Sequence, residues 1–222
     1  MKIQIHEIIR SDRKSLALTI DLKGRLIIRA PRRLPKSEID SFVKSREKWI
    51  IRHRQRMIEN YTPVALKKYI DGEKFLLFGN EYPLSIIECS KMMVVNDKII
   101  MPQRFNDNFR SAMVRFYKDN LKLYASHRVE EIAKENSLNF SKLKITSAQK
   151  RWGSCNSKGN INLTYKLCMA PKRIIDYVLI HELCHTQHLN HSHNFWQLVD
   201  SIMPDYKTYQ NWLRDYGQKL VL

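Results

Sequence analysis

His181-Glu182-Leu183-Cys184-His185 has the residue types and spacing of metal-assisted hydrolysis. On a helix, His181 and His185 stand one turn apart, about 6 Å along the axis and on nearly one face. Two imidazoles so placed can share one Zn²⁺, with Glu182 beside the metal as base for its water. A third ligand must come from chain that has turned back. His188 continues the helical face but lies about 10 Å along the axis from His181. Leu189-Asn190 is the expected helix stop, since Asn tolerates the left-handed C-terminal position. His191 is then the favoured returning ligand, with His193 and Asp205 behind it and Asp200 as a further carboxylate.

The elements that must position these groups are legible around them. Ile174, Ile175, Val178, Leu179 and Leu183 recur at helical spacing, and Pro171 suits the first turn. Residues 143–168 read as a β-hairpin, with Leu143, Ile145 and Ser147 alternating into Lys150-Arg151-Trp152, Gly153-Ser154 in a loop, and Ile161, Leu163 and Tyr165 in the return strand. A strand just before such a helix can pair its edge with an extended substrate. Phe195, Trp196, Val199 and Met203 form a further amphipathic helix, and Tyr209, Trp212 and Leu213 a last one.

Upstream, Phe109, Met113, Phe116, Tyr117, Leu121 and Tyr124 predict a long helix from about Phe105 to Asn136-Ser137. Residues 74–78, 82–88, 91–95 and 99–101 read as strands, with turns at Gly79-Asn80 and Asn96-Asp97. In the first sixty residues, Ile3, Ile5, Leu16, Leu18, Ile20 and Leu22 alternate, Lys23-Gly24 turns, and Leu26-Ile27-Ile28 returns toward Pro31, the pattern of a β-meander. Ser37 is the expected cap of a helix with Asp40 in its first turn. Ile39, Phe42, Val43, Trp49 and Ile50 make its apolar stripe, and Lys44, Lys48, Arg52, Arg54 and Arg56 its basic face. Pro63 marks a break. The expected division is a β-rich part over 1–104 and a metallohydrolase domain over 105–222.

The chain has 222 residues and a net charge of +17, with 39 Lys and Arg against 22 Asp and Glu. Residues 1–60 hold 16 of the cations and 7 of the acids, so about half the excess sits there. Such a field attracts polyanions, and weak nucleic-acid or nucleotide contact through this basic surface is an expectation, although no helix-turn-helix, RNP or zinc-finger pattern is visible. No apolar run of about 18 residues is present, so no membrane contact is expected. The N-terminal residues lack the apolar core of a signal peptide, and the expected compartment is cytoplasmic. Cys89, Cys155, Cys168 and Cys184 form no C-x-x-C pair and are expected as reduced thiols.

Several segments in order carry a family likeness: Glu47-Lys48-Trp49-Ile50, Arg151-Trp152-Gly153-Ser154-Cys155, Gly159-Asn160-Ile161-Asn162-Leu163, His181 to His185, Asn190-His191-Ser192, Phe195-Trp196 and Met203-Pro204-Asp205-Tyr206. With these the chain resembles the YgjP-like metallopeptidases, relatives of the SprT-like and WLM zinc proteases. The resemblance implies an α+β chain whose β-rich start precedes a minimal, gluzincin-like zincin domain with one zinc on His181, His185 and His191 and Glu182 as general base. Thr164 departs from the pattern, where related sequences often carry Asn.

The activity these readings predict is hydrolysis of a polypeptide by a metal-activated water. An oxyanion donor is also expected, with Arg151, His193 and Tyr206 as candidates. Two other functions compete: a metal-dependent phosphohydrolase of nucleoside triphosphates, and a nucleic-acid-associated binding protein. The intact Glu182 speaks against the last.

Overall fold

The computed structural model describes residues 3–21, 24–60, 67–105 and 108–222, the side chains of 56–60 excepted. Leu22, Lys23, Pro63 and the Arg56 side chain lie outside the described residues. The chain is a mixed α+β protein and divides into two compact units, Met1–Pro63 and Val64–Leu222.

In the first unit, β1 (Ile5–Ser11), β2 (Ala17–Ile20) and β3 (Leu26–Pro31) form a sheet in the order β1-β3-β2. β3 is antiparallel to β2 and parallel to β1, so the expected meander does not form. The reason is burial. Leu26, Ile28 and Ala30 are fully buried, and the strand with the most apolar face takes the centre, where both of its edges are paired. α1 (Lys36–Ser45) and α2 (Glu47–Asn60) follow. Pro35, not Ser37, is the N-cap of α1, and Glu38 is the acid in its first turn. The expected single helix breaks at Arg46, where the Ser45 hydroxyl donates to the Phe42 carbonyl at 2.8 Å and closes α1. Ile39, Val43 and Ile50 enter the core, whereas Trp49 stays 40% exposed.

The second unit begins with β4 (Lys74–Leu77), β5 (Asn80–Ile87), β6 (Met93–Val95) and β7 (Lys98–Pro102), ordered β4-β5-β7-β6 with β5 and β7 parallel. Its two hairpins turn on residue pairs with positive φ, Phe78-Gly79 and Asn96-Asp97, the geometry that matches strand twist. α3 (Phe109–Glu135) packs beside this sheet and is pinned to it by the Tyr117 hydroxyl, which donates to the Leu76 carbonyl at 2.7 Å. Next come β8 (Lys142–Thr146), β9 (Gly153–Cys155) and β10 (Asn160–Thr164), ordered β8-β10-β9. The expected hairpin of residues 143–147 with 161–165 does not form; the antiparallel partner of β10 is β9, so Gly153-Ser154 lie in a strand and not in a loop. β8 instead pairs in parallel with β10. Thr164 is buried, and its hydroxyl donates to the Ala148 carbonyl at 2.8 Å.

α4 (Lys172–Cys184), α5 (His193–Ile202) and α6 (Tyr206–Tyr216) complete the unit. Phe75, Leu77, Leu84, Ile99 and Met101 share one apolar core with α3 and α4. The sheet of residues 74–102 therefore belongs with the helices, and the units divide at Pro63/Val64 where the sequence suggested 104/105. The β4–β5 turn also braces the entry to α4. Phe78 and Gly79 donate backbone N–H groups to Cys168 and Met169, and a Cβ on Gly79 would lie 2.9 Å from Pro171, the N-cap of α4. All four cysteines are free thiols. No described helix is long and apolar enough to cross a membrane.

Asp176 ties α4 to α3. It is buried, accepts from the Tyr124 hydroxyl at 2.7 Å and faces the Arg128 guanidinium at 3.2 Å. Asp176→Ala removes a charge-assisted pair and orphans a half-buried hydroxyl. It should cost about 2–4 kcal/mol, against about 1 kcal/mol for Tyr124→Phe. Urea unfolding of the two variants beside wild type measures both, and an equal, negligible loss would remove Asp176 from the scaffold.

Candidate active site

α4 is buried on almost every side, with Ile174, Ile175, Tyr177 to Ile180 and Glu182 to Cys184 all in the interior. A helix is suited to this, because it satisfies its own backbone groups. Its regular hydrogen bonding stops at Cys184, about one turn earlier than the Leu189-Asn190 stop expected from sequence. His185 keeps a helical backbone as the C-cap, and a tight last turn follows, with Thr186 and Gln187 bonded back to Leu183 and Cys184. The Thr186 hydroxyl takes the Leu183 carbonyl at 2.7 Å. The chain then reverses through residues 189–192. Asn190 Oδ1 accepts from the Ser192 N–H, and Ser192 caps α5.

This reversal carries His191 back to α4. Its Nε2 lies 3.0 Å from His181 Nε2 and 3.2 Å from His185 Nε2. The three residues form a group able to hold a metal ion. His188 and His193 are not in that group, and neither is Asp205, which accepts from the Tyr209 hydroxyl at 2.6 Å. His188 contributes in a way the sequence did not suggest. Its carbonyl lies 2.9 Å from His185 Nδ1. A proton on Nδ1 satisfies that contact and leaves Nε2 with a lone pair facing the cluster.

The arrangement fits a bound cation. Burial, and then the neighbouring His185 and His191, push His181 down to about 3, so its ring is neutral. His191 is lowered by partial burial and by His185. The three imidazoles turn ring nitrogens toward one another, and one proton cannot serve both short contacts well. Nitrogens sharing a tetrahedral zinc at about 2.0–2.1 Å stand about 3.3–3.4 Å apart, close to the spacing found here. His181 Nδ1 is buried without a hydrogen-bond partner among the described residues, so its ring is aimed by packing. That packing is aromatic. The Phe195 ring stacks on His185 at 4.5 Å and meets His181 and His191 edge-on at 5.0 and 4.8 Å. Trp196 stacks on His191, and Tyr206 on Trp196.

Glu182 lies on the adjacent side of α4, buried against β9. A Cβ on Gly153 would come within 2.5 Å of its Oε1, so glycine is what lets the carboxylate sit there. Burial pushes the carboxyl up to about 7, while the Arg151 charge and the Cys155 backbone N–H pull it back. A cleft of about 360 Å³ opens beside Glu182 and His181, walled by Trp152, Tyr177 and Leu213 with Arg151, Gln210 and Arg214 also lining it. A larger hollow of about 880 Å³, in the first unit between β1 and α1, has no such triad of ligands among the described residues.

Of the three donor candidates, Arg151 borders the cleft, Tyr206 is buried on Trp196, and exposed His193 opens α5. Tyr177, Gln210 and Arg214 escaped the sequence reading. Tyr177 precedes His181 by one turn, which was a usable signal, but nothing in the polar pattern of α6 pointed to Gln210 or Arg214.

A family model described as YgjP-like, metallopeptidase domain, matches residues 14–216. No curated protein matches the chain. Among solved structures, the crystal structure of the metallopeptidase zymogen of Pyrococcus abyssi abylysin aligns with a TM-score of 0.38 at 21% identity, over 42% of this chain and 93% of that one.

The geometry sets an order of metal dependence. His191→Ala should weaken zinc binding by at least about 100-fold, and His188→Ala and His193→Ala by only a few-fold, since neither side chain joins the cluster. Competition titration with a chelating dye reads all three, and equal losses would remove His191 from the ligand set.

Proposed function

The chain belongs to the YgjP-like metallopeptidase family, and on that footing we propose that it is a zinc-dependent peptidase with the metal on His181, His185 and His191 and Glu182 as general base. The family implies a hydrolase that uses a divalent metal and acts on polypeptide. The convergence of three imidazole nitrogens, His191 Nε2 lying 3.0 and 3.2 Å from its two counterparts, is the observation that carries the finer reading. Zinc, when bound, supplies a Lewis acid and acidifies a water toward a pKa of about 7.

The protein's own groups do the rest in this proposal. Glu182 accepts the water proton on a carboxylate oxygen and delivers it to the leaving nitrogen. The Cys155 N–H and the missing side chain at Gly153 hold that carboxylate in place. Arg151, at the cleft, is the candidate for the developing oxyanion. Tyr206 acts indirectly by backing Trp196 and thereby His191. β9 is an edge strand, and its residues alternate. Trp152 and Asn156 bond to β10, so the backbone groups of Gly153 face the other way. That edge can pair with an extended peptide lying along the cleft. In this reading the H-E-x-x-H helix, the edge strand and the returning histidine make a minimal zincin-like centre.

A second reading has one observation in its favour. Arg151 and Arg214 both line the cleft and could hold nucleotide phosphates. Arg214, however, is already paired with Asp215 at 3.0 Å.

Glu182→Gln should keep near-stoichiometric zinc and lose about 10²–10⁴ in casein hydrolysis, because it removes a base and not a ligand. Gly153→Ala should likewise keep the metal and lose turnover, through displacement of the carboxylate. Run beside a panel of nucleoside triphosphates, the same proteins separate the two readings. Glu182-dependent release of phosphate with inert casein would replace the peptidase by a phosphohydrolase.

A further inference from the structure

The first unit carries a surface that the hydrolytic site does not explain. α2 has two sides. Ile50 is fully buried, and Arg54, one turn on, is fixed inward by hydrogen bonds to the Gly24 and Gln4 carbonyls at 2.8 and 2.9 Å. The outward side presents two adjacent stripes, each of residues one turn apart. One is Lys48 and Arg52, both exposed. The other is exposed Trp49, with the half-buried His53 ring, whose Nδ1 is shut from solvent, stacked on it at 3.9 Å and 22°. Trp49 is 40% exposed, an unusual position for an indole that could have joined the core stripe.

Five of the described acids of this unit are placed elsewhere, while the Glu59 side chain, on α2, lies outside the described residues. Asp12 and Asp21 pair with Arg32 and Arg25. Glu7, Asp40 and Glu47 gather on the hollow between β1 and α1, together with Lys44. Lys44 therefore belongs to a mixed-charge groove and not to the face expected from sequence. Among the described residues, Lys48 and Arg52 have no carboxylate at ion-pair distance. What remains on α2 is a cationic stripe alongside a stacked aromatic pair.

We propose that the outward face of α2 binds single-stranded nucleic acid, with Lys48 and Arg52 on the phosphates and the Trp49–His53 stack as a platform for an unpaired base. The charge favours a polyanion of any kind, but the aromatic pair selects among them. A base freed from a duplex has an open face to lay on an indole, whereas paired bases do not. An acidic peptide would use the cations and leave the platform idle.

The test uses the intact full-length chain and a fluorescently labelled single-stranded oligonucleotide of mixed sequence, followed by anisotropy. Binding should be clear at low salt and weaken steeply as salt rises. Lys48→Glu with Arg52→Glu should weaken it at least about tenfold and flatten the salt dependence, as expected when phosphate contacts are lost. Trp49→Ala should weaken it about tenfold at an unchanged salt slope, and Trp49→Phe should restore most of that loss. His181→Ala, which alters only the hydrolytic centre, should bind as wild type does. Circular dichroism checks that each variant is folded, and Trp49→Phe keeps the comparison decisive if the alanine disturbs α2. Three outcomes would overturn the proposal: no binding at low salt, binding indifferent to both Trp49 variants, or competition by polyglutamate as effective per charge as by the oligonucleotide.

Discussion

Helix α4 is buried on nearly all sides, yet it carries Asp176, His181, Glu182 and His185, and every polar group on it must therefore be answered by a neighbour. Much of the second unit can be read as the set of those answers. Asp176 receives the Tyr124 hydroxyl and the Arg128 guanidinium from α3. Glu182 receives the Cys155 N–H from β9, and Gly153 leaves it room. His185 is answered by the His188 carbonyl on one ring nitrogen. The other nitrogen, with its counterparts on His181 and His191, has no protein partner that suits all three. Burial of this helix thus creates a cost that the protein alone meets incompletely, and apart from His181 Nδ1 the remainder falls where a cation on the three imidazoles would supply it.

His181 and His185 inherit their positions from the helix, but His191 does not. It lies on an exposed reversal, where backbone geometry by itself is a weak constraint. Its ring is fixed from α5 instead. Phe195 touches all three imidazoles, Trp196 lies flat on His191, and buried Tyr206 backs Trp196. Flat aromatic packing aims a ring without supplying a hydrogen bond that would compete for its lone pair. Packing from α5 therefore does for the loop histidine what the helix does for the other two, which is how a site on loops can approach the rigidity of one on regular elements.

The histidine geometry was legible because it depends on one number, the helical repeat. Positions 181 and 185 follow from it directly, and it also removes 188. The strand orders were not legible, because they depend on which strand must be doubly paired. Leu26, Ile28 and Ala30 make β3 central, and a local pattern of alternation is the same in a meander. β9 was read as loop because Gly153-Ser154 has the composition of a turn. Glycine is there for a different reason, the close approach of Glu182. The division at 104 failed to match the compact units because alternation and helical spacing change there, while the apolar core runs straight through from Met101 to Met113. Trp49 was assigned inward by periodicity, and the break at Arg46 is what ends that periodicity.

The strong positive charge of the chain and the chemistry of the candidate active site are separate matters. If net charge governed the site, Glu182 would be held well below its usual range, since the chain carries +17. The opposite holds. Burial raises it, and Arg151 offsets only part of that rise. Desolvation acts at contact distance, whereas distant charges on a wet surface are screened within about 10 Å at ordinary ionic strength. The excess on residues 1–60 is thus poorly suited to tuning a buried carboxylate and well suited to drawing a charged partner to the surface. In the proposed role, a stacked tryptophan on α2, beside cations that have no carboxylate partner among the described residues, would give that attraction a place to end, which a diffuse basic surface would not.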